Sequence, residues 1–248
     1  MNLSEELVNA ITPHEIFSIP LFGLNIPVTD TVITMWLVMA FLIIFAVVIT
    51  RRMQLVPKGK QNVAEAIVEL INNFAKGNIG HHWRPFAPYL GTVLLFLMFS
   101  NIISIFNIIP NGEILYEITH VESLKHFGIR PPTRDANVTV CLAAMSVILV
   151  LFSGIGIKGF KGWLRYHIEP TPVILPFKIL DYPVRTLSLS MRLFGNILGA
   201  FIIMELIYAV FPMVVPAAFS IYFDLFDGLL QAYVFVFLTS LYIAEAIE

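Results

Sequence analysis

Between Ser188 and Asn196 the sequence reads Ser-Leu-Ser-Met-Arg-Leu-Phe-Gly-Asn, which sets Arg192 inside a hydrophobic segment long enough to lie in a membrane. A guanidinium at mid-bilayer costs about 2.5–3.5 kcal/mol on insertion scales and cannot escape by losing its proton. Such a charge is read first as functional. Stepping by fours and threes along this segment gives Asp181, Arg185, Ser188, Arg192, Asn196 and Gly199, a helix face that is polar or small throughout. Beyond Arg192 there is no further Lys or Arg, yet acids return at Glu205, Asp224 and Asp227. One fixed cation is followed by titratable anions.

The same spacing puts Ser220, Asp224, Asp227 and Gln231 on one face of the last apolar segment. Carboxylates inside a membrane protein need water or a partner, so Glu205, Asp224 and Asp227, all placed to the outer side of Arg192, describe an aqueous inlet for cations. A second wet path from the inner side would end near Lys178, Asp181 and Arg185. Two such half-paths separated by Arg192 cannot conduct directly, because a fixed positive charge repels a cation passing between them. A moving carboxylate on another subunit would carry the ion around, which is the work of a rotary motor's stator. The plainer alternative is an Arg192 that pairs with an acid to hold helices together, with Asn196 and Gln231 as polar contacts between helices.

These residues need a scaffold, and composition says which kind. With 248 residues, 58% hydrophobic and 13% charged, and a mean hydropathy of +0.83, the chain has too little polar surface to cover a soluble domain of its size. A formal net charge of -2 with no basic stripe excludes a nucleic-acid partner. The lone Cys141 cannot form an internal disulfide, and no basic stretch precedes Arg51 to make a secretory signal.

The expected fold is an all-α polytopic membrane protein of five membrane-crossing helices and one interfacial amphipathic helix, a single membrane domain over 1–248. Residues 1–30, with Pro13, Pro20 and Pro27, read as an irregular or short amphipathic outer segment. The first span is 31–50, followed at once by Arg51, Arg52, Lys58 and Lys60, which set that side as cytoplasmic and the N-terminus as outside. Residues 61–80 repeat apolar positions at helical spacing and read as a helix lying on the inner surface, or as a dock for a soluble partner. A second span at 86–109, an outer loop at 111–137 and a third span at 138–157 come next, with Lys158, Lys161 and Arg165 on an inner loop. A helix over 173–211 would be more than 50 Å long at about 1.5 Å per residue, too long to stand upright in one bilayer. It and the last helix, 217–246, form a long tilted hairpin that ends inside.

Three stretches carry a resemblance: Ser190-Met191-Arg192-Leu193-Phe194-Gly195-Asn196, Gln231-Ala232-Tyr233-Val234-Phe235, and Pro131-Pro132-Thr133 with Asn137-Val138-Thr139. Together they resemble subunit a of the F-type ATP synthase over nearly the whole chain. The resemblance implies a stator that clasps a rotating ring of c subunits beside b-type peripheral stalk subunits in the lipid bilayer, most simply a bacterial inner membrane. It further implies that Arg192 meets each c-subunit carboxylate, with Gln231 beside it, Asn196 one turn on, and Asp224 where relatives place an ionisable residue in the outer half-channel.

Two positions depart from that pattern. Fourteen before the arginine, where an acid is frequent, stands Lys178, with Asp181 the nearest acid. Nine after it, where some relatives carry Glu, stands Phe201, with Glu205 one turn beyond. Assigning those roles to Asp181 and Glu205 is inference from position. ATP chemistry belongs to other subunits: Gly154, Gly156 and Gly159 lack the Lys-Ser/Thr pair of a phosphate-binding loop, and no cofactor or metal is expected. Whether the ion is H⁺ or Na⁺ stays open. A self-contained channel or secondary transporter is the rival function, and an intramembrane hydrolase a weaker one, since Asp224 and Asp227 share one helix.

Overall fold

The computed structural model describes residues 15–21, 24–51, 53–54, 58–103, 131–168, 172–210, 219 and 221–248. Among these, six α-helices dominate: α1 (Asp30–Thr50), α2 (Lys60–Ile79), α3 (Ala87–Ile102), α4 (Ala136–Ile168), α5 (Leu175–Val210) and α6 (Gly228–Ile247). Four helices are long and apolar enough to cross a membrane: α1, α4 over Ala136–Arg165, α5 over Leu175–Met204, and α6. Helix α3 is apolar but shorter, at 16 residues. The chain is a membrane protein.

The all-helical expectation fails at the N-terminus, where an irregular or amphipathic segment was anticipated and a β-hairpin stands. Strands β1 (Glu15–Leu21) and β2 (Leu24–Thr29) pair antiparallel from Glu15 opposite Thr29 to Leu21 opposite Leu24. Prolines had argued against regular structure here, but a two-stranded ladder has two open edges. Pro20 lies opposite Asn25 and Pro27 opposite Ser18, two pairs apart, so both can direct their missing N–H away from the partner strand. Ile16, Ile19, Ile26 and Val28 supply the β-branched residues that suit such a ribbon.

The chain divides into two compact units, each gathered from separate stretches. The first comprises residues 1–47, 96–138 and 194–230. Its α1 begins at the buried Asp30, whose Oδ1 accepts from the Thr31 backbone N–H at 2.8 Å, a carboxylate serving the donors of a helix start. Phe99 of α3 meets Phe41 and Phe45 of α1 at ring distances of 5.2 and 6.5 Å. Asn101 is the polar centre of the unit. Its Nδ2 donates to the Gly228 carbonyl at 2.9 Å and its Oδ1 accepts from Thr133 Oγ1 at 2.8 Å. A Cβ at Gly228 would lie 3.0 Å from Asn101 Cβ, so the glycine lets the two backbones approach. Amides in apolar surroundings bond across helices in this way; Ser104 and Asn107 lie outside the described residues.

The second unit comprises residues 48–95, 139–193 and 231–248. Helix α2 buries Ile71, Ala75 and Ile79, and the Phe74 ring lies tilted against Tyr233 and Phe237 of α6 at centroid distances of 5.6 and 6.4 Å. Asn78 Nδ2 donates to Ser240 Oγ at 3.0 Å. Tyr89 and Ser146 share a hydrogen bond of 2.8 Å between α3 and α4. Leu189 and Leu193 of α5 and Phe235 and Ile243 of α6 are fully buried in the core.

Lys158, Lys161 and Arg165 were expected on a loop after a span ending at 157, but α4 continues helical to Ile168. The break is Gly159, at φ 72°, ψ 160°, a conformation open only to glycine at low cost. It turns the helix back on itself: a Cβ at Gly154 would lie 3.1 Å from Trp163 Cδ1, although nine residues of straight helix would separate the two by about 13 Å. The basic residues therefore ride on a folded-back helical arm.

A second departure lies before α6. Ile221–Asp227 is wound as π-helix, with i→i+5 bonding. Stepping by fours and threes through this segment therefore misplaces the side chains, and the shared face proposed for Ser220, Asp224, Asp227 and Gln231 does not follow. Ser220 itself lies outside the described residues.

Candidate functional site

Helix α5 carries the cation. It runs for 36 residues, about 54 Å, with Pro183 inside its first half. Leu189, Ser190 and Leu193 point into the core, while Leu187, Ser188, Met191, Arg192 and Gly195 are exposed. Arg192 thus stands on a broad apolar face, beside Ser188 one turn away, and no carboxylate bonds it among the described residues. Phe177, Leu180 and Val184 extend the exposed apolar strip toward the start of the helix.

Asn196 lies one turn beyond Arg192, half-buried, and its Nδ2 donates to Asp227 Oδ2 at 2.6 Å. The π-wound segment delivers Asp227 to this bond. The side chains of Glu205 and Asp224 lie outside the described residues, so only Asp227 of the three downstream acids can be placed. Nearby in sequence to Glu205, Phe201 receives the Arg134 guanidinium, whose Cζ lies 3.7 Å from the ring centroid.

Gln231, in the first turn of α6, is 4% exposed, and its Nε2 has no hydrogen-bond partner among the described residues. A buried amide nitrogen left unbonded costs about 1–3 kcal/mol. Native proteins keep such groups rarely, and often where function requires them.

Asp181 lies elsewhere, in a recess of about 260 Å³ whose lining mixes His167, Lys178, Asp181, Tyr182, Arg185 and Glu245 with apolar side chains such as Phe177. Arg185 Nη2 is the hub, 2.5 Å from Asp181 Oδ2 and 2.8 Å from Glu245 Oε1, with its Cζ 4.5 Å from the centre of the Tyr242 ring. The i, i+4 pairing of Asp181 with Arg185 is readable from spacing. Glu245, sixty residues further on, is not, and neither is the pairing of His167 Nε2 with the Tyr182 hydroxyl at 3.1 Å. The one signal available was a histidine following an apolar helix and a glycine, too weak to single out.

The structure thus joins Asn196 to Asp227 and Asp181 to Arg185 and Glu245. It leaves Ser188 and Arg192 on an open face, and Gln231 buried with a donor that has no partner among the described residues. A family model, ATP synthase A chain, matches residues 32–244. That match spans every described helix except the ends of the first and last, and by it the chain belongs to the ATP synthase A chain family, as a subunit of that complex's membrane sector.

Proposed function

We propose that this chain is the stator subunit that couples ion flow to rotation of the c ring, through two offset half-channels separated by Arg192. The exposed position of Arg192 carries the reading. A guanidinium on an apolar helix face, with no carboxylate of its own chain bonded to it among the described residues, needs its counter-charge from a neighbouring subunit, and a ring of carboxylate-bearing helices supplies one at every step.

The outer half-channel uses Asp227 and Asn196 together with Asp224 and Glu205. The recess holding Asp181 is the inner one. Gln231 and Ser188 flank the passage of the ring carboxylate past Arg192. Helix α3 serves as a fifth crossing, α2 lies along the inner surface, and a bacterial inner membrane holds the chain with its N-terminus outside and C-terminus in the cytoplasm. Contacts to b-type stalk subunits fix it against the torque. No bond-making is required of this subunit: each charge crossing about 100 mV releases roughly 2.3 kcal/mol, and separating the half-channels restricts that release to rotation. The ion is H⁺ or Na⁺.

Replacing Arg192 by Ala in the whole complex is the decisive test. Coupled ATP synthesis should vanish, and Arg192→Lys should fail largely too, because lysine loses its proton in apolar surroundings. Normal coupled synthesis in Arg192→Ala would refute the reading, as would ion flux through this chain reconstituted without its ring.

A further inference from the structure

Residues 160–168, the helical arm of α4 that follows Gly159, present two faces. The inner one is engaged: Trp163 packs on Gly154 and lies 4.3 Å from the His167 ring, and His167 Nε2 meets the Tyr182 hydroxyl of α5 at 3.1 Å. The outer one is a stripe of Phe160, Leu164 and Ile168 at four-residue spacing, all three exposed, Phe160 by 64%. Lys161 and Arg165, each the next residue after a member of the stripe, are exposed as well. An apolar stripe with a basic flank is the pattern of a helix lying in a membrane surface.

The level of this arm follows from the rod before it. Residues 136–158 of α4 extend about 34 Å, close to the roughly 30 Å of a hydrocarbon core. They carry no charge before Lys158, so the hinge at Gly159 falls at the edge of the bilayer. The arm then turns back instead of leaving for water. Trp163 reaches the level of Gly154, roughly 8 Å inside the end of the rod. Surface-lying amphipathic helices bury their apolar face about 5–10 Å into the boundary between headgroups and acyl chains, the same depth. Between Asp135 and Glu169 the chain has Lys158, Lys161 and Arg165 and no carboxylate. The complement of such a segment at the headgroup level is an anionic lipid.

We propose that residues 160–168 are a re-entrant lipid anchor, with Phe160, Leu164 and Ile168 set among the acyl chains of the adjoining leaflet and Lys161 holding the phosphate of an anionic phospholipid. The lysine stem lies along apolar surface while its ammonium returns to the headgroups. This role goes beyond coupling through Arg192 and does not depend on the half-channels. It also gives the recess around Arg185 a fixed wall, because the same arm presents His167 to it.

The test uses the whole complex in liposomes of phosphatidylcholine and phosphatidylglycerol in equal parts. In a Cys141→Ser background, Phe160→Cys and Leu164→Cys are made separately and labelled with a fluorophore, and the background complex supplies the signal from other subunits. Both side chains are exposed, so assembly should survive, and subunit content is measured to confirm it. Trace phosphatidylcholine or phosphatidylglycerol carrying a nitroxide on its acyl chain is then added. Fluorescence should be quenched at both positions, more strongly by the phosphatidylglycerol. Lys161→Gln in the Leu164→Cys complex should lower that preference about fivefold, the weight of one basic side chain at an anionic surface. Absence of quenching at both positions means that water or a neighbouring subunit covers the stripe, and the anchor falls. Quenching without a preference, or a preference that Lys161→Gln leaves unchanged, overturns the headgroup site.

Discussion

Asn196 donates its side-chain amide to Asp227 at 2.6 Å, tying the middle of the longest helix to the last residue of the π-wound segment. Asn196 stands four residues past Arg192 in the sequence of the same helix. A hydrogen bond to a charged group contributes about 1.5–3 kcal/mol when its partner is left unpaired by deletion. Asn196→Leu should therefore lower stability and slow coupled transport together. Asp227→Asn keeps an acceptor for Asn196 and removes the charge, so its loss should fall on transport. A double-mutant cycle for Asn196→Leu and Asp227→Asn, read in denaturation of the purified complex and again in transport rate, tests the split; equal losses of both quantities in Asp227→Asn would make the pair purely structural.

Arg185 touches two carboxylates, and that redundancy has a consequence. The Asp181 and Glu245 side chains are about half exposed while that of Arg185 is 15% exposed, so each contact alone is worth no more than about 1 kcal/mol. Asp181→Asn and Glu245→Gln are expected to reduce coupled transport only slightly. Their combination leaves a largely buried guanidinium with neither acid and should fail far more than the product of the single effects. Measuring ATP synthesis in the three variants decides it: a double variant that merely adds the two small losses would show that Arg185 does not depend on either acid.

What could be read before folding, and what could not, follows from the range of the interactions. Helix α1 is written plainly in Asp30–Thr50, an uncharged apolar run after its first residue, because a span must satisfy its backbone within itself. The hairpin at Glu15–Thr29 was hidden by its prolines, which oppose a strand only where a ladder closes on both sides. Gly159 stood in plain view, but nothing local distinguishes a glycine that reverses a helix from Gly156 three residues earlier, which has open space around it. The π-winding at Ile221–Asp227 defeated a periodicity argument that assumed 3.6 residues per turn. Within the candidate site, Arg192 draws notice in the sequence because a charge in an apolar segment is costly in a membrane. Glu245 does not, since its role exists only where α5 and α6 meet.

Gln231 allows stability and function to be separated at one position. Its Nε2 is buried without a hydrogen-bond partner among the described residues, in a side chain that is 4% exposed. Replacing it by Leu removes a desolvated donor and an acceptor while roughly keeping the volume, so the fold should lose nothing and gain about 1 kcal/mol. If the amide exists to face the ring carboxylate as it passes Arg192, coupled transport must fall in the same variant. Thermal denaturation of the purified complex and ATP synthesis in liposomes measure the two sides independently. A Gln231→Leu complex that is less stable and proportionally less active would mean the amide is ordinary packing, whereas one that is at least as stable and poorly coupled identifies a polar group kept at the expense of folding for what it does to the ion.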